Sequence, residues 1–359
     1  MADGTYSTQV LAARPTFHVG GQEIAPLGAG LLALAIEEDT QGLYRCEATF
    51  GNWGASGGGI GFLYFDRKTL DFGKPFQVRL GQDVLFDGLI TALEGRFRDT
   101  SPPELSVLAD DRLQDLRMTR RTRTFNGISD ADVIQQLASQ HGLGARVDVQ
   151  GPQHDVLAQM NQSDLAFLRE RCRAVDAELW VEDRTLHARP RTDRAAGSSL
   201  SLGLGNELRE FTVLADLAGQ RTSVTVSGWD VRAKKELKYE ARDAVLGGEL
   251  DGGKSGASLL SSAFGERAEV LVHTVPLGHA EARARAESFF KLGARRFVTG
   301  RGTAQPTSGL RVGTRVELRG LGALFNGKYY VTGVKHLFDG TNGLRTEFTA
   351  ERPALGGSA

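Results

Sequence analysis

Residues Gly248-Glu-Leu-Asp-Gly-Gly253-Lys254-Ser255 satisfy the spacing G-x-x-x-x-G-K-S. In that pattern backbone N–H groups cradle phosphates, the lysine neutralises them and the hydroxyl reaches Mg²⁺. The chemistry needs a buried strand before the loop and a helix after it. Here the preceding Glu240-Ala-Arg-Asp-Ala-Val-Leu is short and charged, and no apolar strand ending in Asp stands out for the second metal contact. A Gly/Ser-rich surface loop reaches the same spacing. Gly54-Ala-Ser56-Gly-Gly58 fits G-x-S-x-G, the nucleophile elbow, which requires a strand-turn-helix with Asp/Glu and His following in chain order. The glycine run continues through Gly57-Gly-Gly59-Ile-Gly61, so a helix is implausible and the segment reads as a flexible loop. Gly28-Ala-Gly30 is a loose dinucleotide fingerprint, with no acidic residue at the expected distance and β-type surroundings.

The seven histidines are scattered, and His273 and His279 flank Pro276 without metal-ligand spacing. Cys46 and Cys172 are too few for a disulfide framework, which suits a reducing compartment. Asp110-Asp111 and Asp130/Asp132 are acidic pairs, the second at a predicted helix N-terminus where negative charge is favourable without catalysis. Arg112, Arg117, Arg120, Arg121 and Arg123 form a basic cluster. It reads as a strand edge blunted by charge or as a surface for an anionic partner. Phe289-Phe290 read as core anchors. No catalytic, cofactor-binding or metal-ligating residue emerges, and no cofactor is expected.

The elements that would position any site are mostly strands. Glycine is over-represented, 45 in 359 residues, where about 7% is usual, so many turns are expected. With 43 basic and 44 acidic residues the net charge is −1, which disfavours a chain held to nucleic acid by bulk charge. The N-terminus Met1–Tyr6 is polar without a basic n-region, and the apolar stretch Leu27 to Ile36 is far short of the roughly 20 residues of a membrane span. A soluble chain is expected. Phe76, Val78 and Leu80 alternate; strands follow through Leu89–Leu93 and, after a break at Pro102-Pro103, Leu105–Ala109. Ser129-Asp-Ala-Asp opens a helix carrying Val133, Ile134, Leu137 and Ala138, closed by Gly142. A second helix starts at Ser163, and a hairpin turns at Asp183-Arg184. Ala195–Ser199 reads as a linker. A helix over His279–Leu292 stops at Gly293. Asn326-Gly327 and Asn342-Gly343 are hairpin turn dipeptides.

This patterning predicts a β-rich α+β chain: two related β-barrel modules, an inserted α+β domain and a helix-containing insertion. The expected boundaries are 1–118 for the first β-barrel module and 119–195 for the inserted domain. Strands entering the second barrel occupy 196–232, a loop-rich insertion ending in a helix 233–295, and the last barrel strands 296–352. Residues 353–359 are expected to be a flexible tail. The relatedness of the modules rests on an internal similarity. Val78-Arg-Leu-Gly, Leu85-Phe86-Asp87-Gly88, Ile90-Thr91 and Phe97 run parallel to Val316-Glu-Leu-Arg, Leu324-Phe325-Asn326-Gly327, Val331-Thr332 and Phe338. Three copies of such a chain would present six similar modules around an axis.

Leu85–Glu94, Val107–Leu113, Ser129–Ala138 with His141-Gly-Leu, Gln159–Leu168, Leu179–Leu186, Val226–Asp230 and Gly327–His336 together resemble the tailed-phage late control protein D family. The resemblance runs in order from about residue 75 to 352. It is similar also to the hub portion of the valine-glycine repeat proteins of type VI secretion. It implies a non-enzymatic baseplate hub of a contractile phage tail or phage-tail-like injection system. Such a hub is a homotrimer that adapts a hexameric inner tube to a trimeric spike, beside baseplate wedge proteins. It is assembled in the bacterial cytoplasm, with no nucleic acid bound and no direct membrane insertion. No lysozyme-like insertion or β-helix repeat is visible, so the resemblance implies a spike on a separate polypeptide. The readings that compete are a carbohydrate- or protein-binding module outside any tail particle, and a P-loop nucleotide-binding protein using Lys254.

Overall fold

The computed structural model describes residues 14–194, 199–230, 233–272 and 276–356. Met1–Tyr6, His273, most of the Ala195–Ser199 linker and the last three residues lie outside them.

Residues 14–110 form β1 (Thr16–Val19), β2 (Gln22–Glu23), α1 (Ala25–Ala29), β3 (Leu31–Asp39), β4 (Arg45–Gly51), β5 (Trp53–Ser56), β6 (Gly59–Phe62), β7 (Pro75–Leu80), β8 (Asp83–Arg98) and β9 (Ser101–Asp110). Alternation in β7 buries Phe76 and Val78 against Phe17, Phe50 and Ile90. Each such side chain contributes about 1.5–3 kcal/mol by leaving water. Pro102-Pro103 do not end the strand, since β9 already starts at Ser101, but they interrupt its ladder: the register slips opposite them, between Arg96 and Arg98 of β8, near the strand start where proline's missing N–H is tolerated.

The unit that follows contains α2 (Leu113–Arg117), β10 (Arg120–Ser129), α3 (Asp130–Gln140), β11 (Gly144–Val147), β12 (Gln153–Ser163), α4 (Asp164–Ala174), β13 (Ala177–Glu182) and β14 (Thr185–Pro190). Ser129 caps α3 in a full capping box with Asp132, and Ser163 caps α4. Asp183, at φ 53°, turns the β13–β14 hairpin. Ser129→Ala removes one of the few partners of the free N–H groups at the start of α3. It is expected to lower stability by about 1 kcal/mol, read as a shift of the urea midpoint with an unchanged m-value.

Residues 199–356 add β15 (Leu200–Gly203), β16 (Leu208–Ala215), β17 (Ser223–Asp230), β18 (Lys235–Ala241), β19 (Lys254–Ser255), α5 (Gly256–Phe264), β20 (Ala268–Leu271), α6 (His279–Ala294), β21 (Val298–Ala304), β22 (Arg315–Arg319), α7 (Gly322–Phe325), β23 (Gly327–Asp339), β24 (Gly343–Arg352) and β25 (Ala354–Leu355). Residues 233–272 and 276–295 hold more regular structure than their Gly/Ser content predicts. β17, β18 and β20 form a sheet, and Val224 and Val226 pack with Ala282, Ala286 and Phe290 of α6. Gly293 does not stop α6, which runs to Ala294 and on into a 3₁₀ turn, Arg295–Phe297. The 353–359 tail is corrected in part: Ala354 is buried and β25 pairs with β19. Asn326-Gly327 is not a two-residue hairpin turn. Asn326 caps α7, its Oδ1 accepting the Leu321 N–H at 2.7 Å, so the β22–β23 link is longer.

One 13-stranded sheet unites the two ends of the chain. In its first half the strand order is β3-β4-β9-β8-β7-β1, and in its second half β16-β21-β24-β23-β22-β15. Strand for strand, the two orders follow the same sequence of connections. The halves differ where β1 runs antiparallel to β7 but β15 parallel to β22. They share a bulge: register slips between Ile90 and Ala92 in β8 and between Val331 and Gly333 in β23. The extra residue is threonine both times. Thr91 donates to the Leu108 carbonyl at 3.3 Å and Thr332 to that of Thr349 at 3.4 Å. The chain is therefore β-rich α+β with two related β-modules. Their strands, expected as barrels, form an open path, because β23 continues past β22 and pairs its residues 333–339 with β3. The α+β unit lies between the halves, and the second insertion replaces the short β3–β4 turn.

The motif parallel is right in part. Val78 and Val316 lie on equivalent strands, but Leu85-Phe86 are buried in β8 whereas Leu324-Phe325 lie on α7, with Leu324 exposed.

Candidate assembly interface

The residues of the sequence motifs sit in caps, turns and paired strands. Ser255 caps α5, accepting from the Ser258 N–H at 3.0 Å and donating to Asp243 at 2.9 Å. Gly253 is packed against the backbone of Leu355 and Gly356, and Lys254-Ser255 pair with β25. The element before it is a 3₁₀ segment with a kink at Gly247. Ser56 ends β5; Gly57 and Gly58, both at positive φ, turn it into β6. The expected flexible loop is thus a hairpin, clasped by Trp53 against Phe62 with ring centroids 5.2 Å apart. Gly28 and Gly30 lie in and just after α1. Cys46 and Cys172 are free and buried, and burial pushes both thiols up, Cys172 to about 12. Among the described residues no group of three or more His, Cys, Asp or Glu could hold a metal. None of their helices is long and apolar enough to cross a membrane.

The acidic pairs serve the framework. Asp132 belongs to the α3 cap. Asp130 is fully buried, 2.6 Å from Arg171 Nε and 3.2 Å from His154 Nε2. Asp111 is buried and accepts from the Tyr44 and Leu113 N–H groups. Within the basic cluster, Arg123 and Arg121 converge on Asp164 at 2.7 and 3.4 Å. Burial alone would raise the Asp164 carboxyl, but hydrogen bonds with His141 and Gln159 and the two arginines hold it below its usual range. Arg120 donates to the Asn161 carbonyl. Arg120, Arg121 and Arg123 therefore tie β10 to β12 and α4.

A cleft of about 740 Å³ lies among α4, α6 and β13, lined by Arg169, Arg173, Arg191, Arg221, Arg295 and Arg296. Three of these six charges are neutralised inside the chain: Arg191 by Glu351 at 2.6 Å, Arg221 by Glu269 at 2.8 Å, and Arg295 by Asp176 and Glu249. Phe289, expected as a core anchor, opens onto this cleft, 41% exposed, while Phe290 is buried.

A second buried network was missed by sequence reasoning. Arg194 donates to Glu178 and to the Tyr44 hydroxyl, both at 2.7 Å, and lies over the Trp180 ring at 4.2 Å. Tyr330 donates to the same Glu178 oxygen at 2.6 Å. Both sheet halves and the inserted unit meet there. The partners lie up to 152 residues apart, beyond the reach of any local signal.

The sheet also leaves backbone edges unpaired among the described residues. Beyond the bulge, Ala92–Arg98 of β8 pairs with β9 on one side, and no described strand lies on the other. β16 ends the sheet path with its outer edge open. Beside the β8 edge, Phe62, Phe65 and Phe97 meet in one aromatic patch, with centroids 5.0–6.2 Å apart. A crevice of about 220 Å³ opens there between Tyr64, Phe65, Leu93, Gly95 and Phe97. Open edges with exposed aromatics are what protein interfaces are built from.

A family model described as the Alg8 N-terminal domain matches residues 68–339. No curated protein matches the chain. Among solved structures, the 43 kDa tail protein of prophage MuSo2 from Shewanella oneidensis superposes with a TM-score of 0.68 at 14% identity, over 95% of this chain and 99% of that one. A tail protein from Neisseria meningitidis MC58 does so at 0.66 and 14%, over 94% and 96%. An E. coli component of the type VI secretion system, described as structurally similar to T4 bacteriophage tail proteins gp27 and gp5, gives 0.56 at 13%, over 92% and 76%. At these identities the likeness is one of fold: this chain has the fold of tail proteins.

Proposed function

The chain belongs to the Alg8 N-terminal domain family; from its tail-protein fold we propose that it is a structural baseplate hub of a contractile tail or tail-like injection particle. In this reading three copies form a collar that seats a trimeric spike on a hexameric inner tube. Baseplate wedge proteins surround it, and assembly takes place in the bacterial cytoplasm. The observation that carries the reading is the doubled strand order, β3-β4-β9-β8-β7-β1 and β16-β21-β24-β23-β22-β15. One chain with two like halves gives a three-fold assembly six like modules. Such a ring matches three-fold partners through whole chains and six-fold partners through modules.

The work is done by interfaces rather than by side-chain chemistry, and no enzymatic step is proposed. Lys254 and Ser56, the residues of the competing readings, lie on a short edge strand and a surface hairpin. Obligate interfaces often exceed about 2,000 Å², so the free monomer would be poorly soluble and aggregation-prone. The test is the mass of the full chain by sedimentation, alone and co-expressed with candidate spike and tube proteins. Three copies are expected. A stable monomer that also fails to trimerise with its spike contradicts the hub.

A further inference from the structure

We propose that the open edge of β8, residues Ala92–Arg98, pairs antiparallel with the open edge of β16 of a second copy of this chain. The pairing repeats between chains the joint that β23 and β3 make within one. This rests on the three-copy reading and names the surface that reading needs.

The internal joint supplies the template. There Phe338 lies opposite Leu34, His336 opposite Ile36 and Lys335 opposite Glu37. The shared threonine bulge sets β8 against β23, so that Ala92 matches Gly333 and Phe97 matches Phe338. Following the pairings outward through β9, β4 and β3, and through β24, β21 and β16, sets Leu34 against Phe211 and Ile36 against Val213. The register between copies follows. Phe97 falls opposite Phe211, Gly95 opposite Val213, Glu94 opposite Leu214 and Arg98 opposite Glu210.

Three observations favour a second copy as the occupant. In the internal joint Phe338 is 5% exposed, but its counterpart Phe97 is 65% exposed. The inward row of β8, Leu93, Gly95 and Phe97, borders an apolar crevice, while that of β16, Phe211, Val213 and Ala215, already packs on the second-half core. On the outer face the register sets Arg98 against Glu210, opposite charges on facing strands. The contact is head-to-tail, so it closes into a ring or runs on as a fibre. Three copies close it if each of the six joints, three internal and three between copies, turns by one sixth of a full circle.

The experiment is cross-linking in the full chain carrying Glu94→Cys with Leu214→Cys. Both sites are exposed, and the native Cys46 and Cys172 are buried and silent. A control carries Glu94→Cys with Glu210→Cys, displaced along the strand by about 13 Å at 3.3 Å per residue. Because a disulfide needs its Cβ atoms within about 4.5 Å, mild oxidation should give roughly tenfold more linked chain in the first variant than in the control. The ladder should end at three copies. A chain that sediments as a trimer yet cross-links no better in register overturns the edge pairing and leaves the hub standing. A chain that stays monomeric and unlinked, even with its spike and tube partners, overturns both. A ladder that continues past three copies overturns the closed ring.

Discussion

Arg194→Met is expected to destabilise the folded chain by about 3–5 kcal/mol, the usual result of breaking a buried ion pair from one side. The guanidinium is 4% exposed. Its two hydrogen bonds reach Glu178 of the inserted unit and Tyr44 in the β3–β4 connection. Burial pushes the Tyr330 hydroxyl up, so it stays protonated and donates to Glu178. Without Arg194 that single neutral donor would face an almost fully buried carboxylate. Methionine fills the volume over Trp180, which isolates the electrostatic loss from a cavity. Adding Glu178→Gln to Arg194→Met should restore about half of the loss, because the stranded charge disappears, and a double-mutant cycle reads that coupling directly. Equal losses in the single and double variants would assign the effect to packing. The measurement is the urea midpoint, with hydrogen exchange at the β3–β4 connection and at β13 as the local readout. The consequence for assembly is geometric. Arg194 fixes the inserted unit to both sheet halves, and a loosened unit would blur the spacing of modules that a collar depends on.

Local chemistry was readable from the chain; long-range pairing was not. The caps at Ser129 and Ser163 and the Asp183 turn depend on residues within three positions, and all three are where their spacing puts them. The doubling of the sheet was also visible, in the Val-x-Leu strands and the Ile-Thr and Val-Thr steps that became matching bulges. It misled at Leu324-Phe325, where a glycine-rich connection folds into a helical turn that the sequence motif does not distinguish from a strand. The 233–295 segment looked like loop because its serines and glycines are helix and strand punctuation: Ser255 caps α5 and also pairs in β19. Its partner Ala354 stands 99 residues away, so the ordered C-terminal strand was invisible. The Arg194 network escaped for the same reason. The open edges of β8 and β16 could not be read at all, since an edge is defined by what does not pair with it.

His336→Leu should change the pH dependence of stability by about 3 kcal/mol between pH 7 and pH 4, the size of a shift of about 2.5 pKa units. His336 lies on β23 in the internal joint, opposite Ile36 and Thr346, and is 1% exposed. Burial lowers it from 6.5 to about 4, with Glu38 opposing and Arg311 reinforcing that effect. Its folded-state value is depressed, so below pH 6.5 the unfolded chain takes up a proton that the folded chain refuses until about 4. Its contribution is complete above pH 6.5 and is lost as the pH falls to 4. Asp111 works in the opposite sense. Burial raises it from 3.8 to about 7, against the hydrogen bonds from Tyr44 and Leu113. Its contribution is complete below pH 4 and is lost as the pH rises to 7. The two slopes overlap and largely cancel in the native chain, and single substitutions unmask them. Relative to the native chain, His336→Leu should fare best near pH 4 and lose about 3 kcal/mol of that advantage by pH 7. Asp111→Asn should show the reverse trend. Urea midpoints taken at pH 4.5, 5.5 and 7 decide the matter, since the difference from the native chain removes every other titrating group. A difference that does not change with pH would mean that His336 is solvated in the folded chain. It would then not lie in the dry seam between β3 and β23. The proposed joint between copies would carry Gly95 where this one carries His336, so acid sensitivity of this origin belongs to the seam inside the chain.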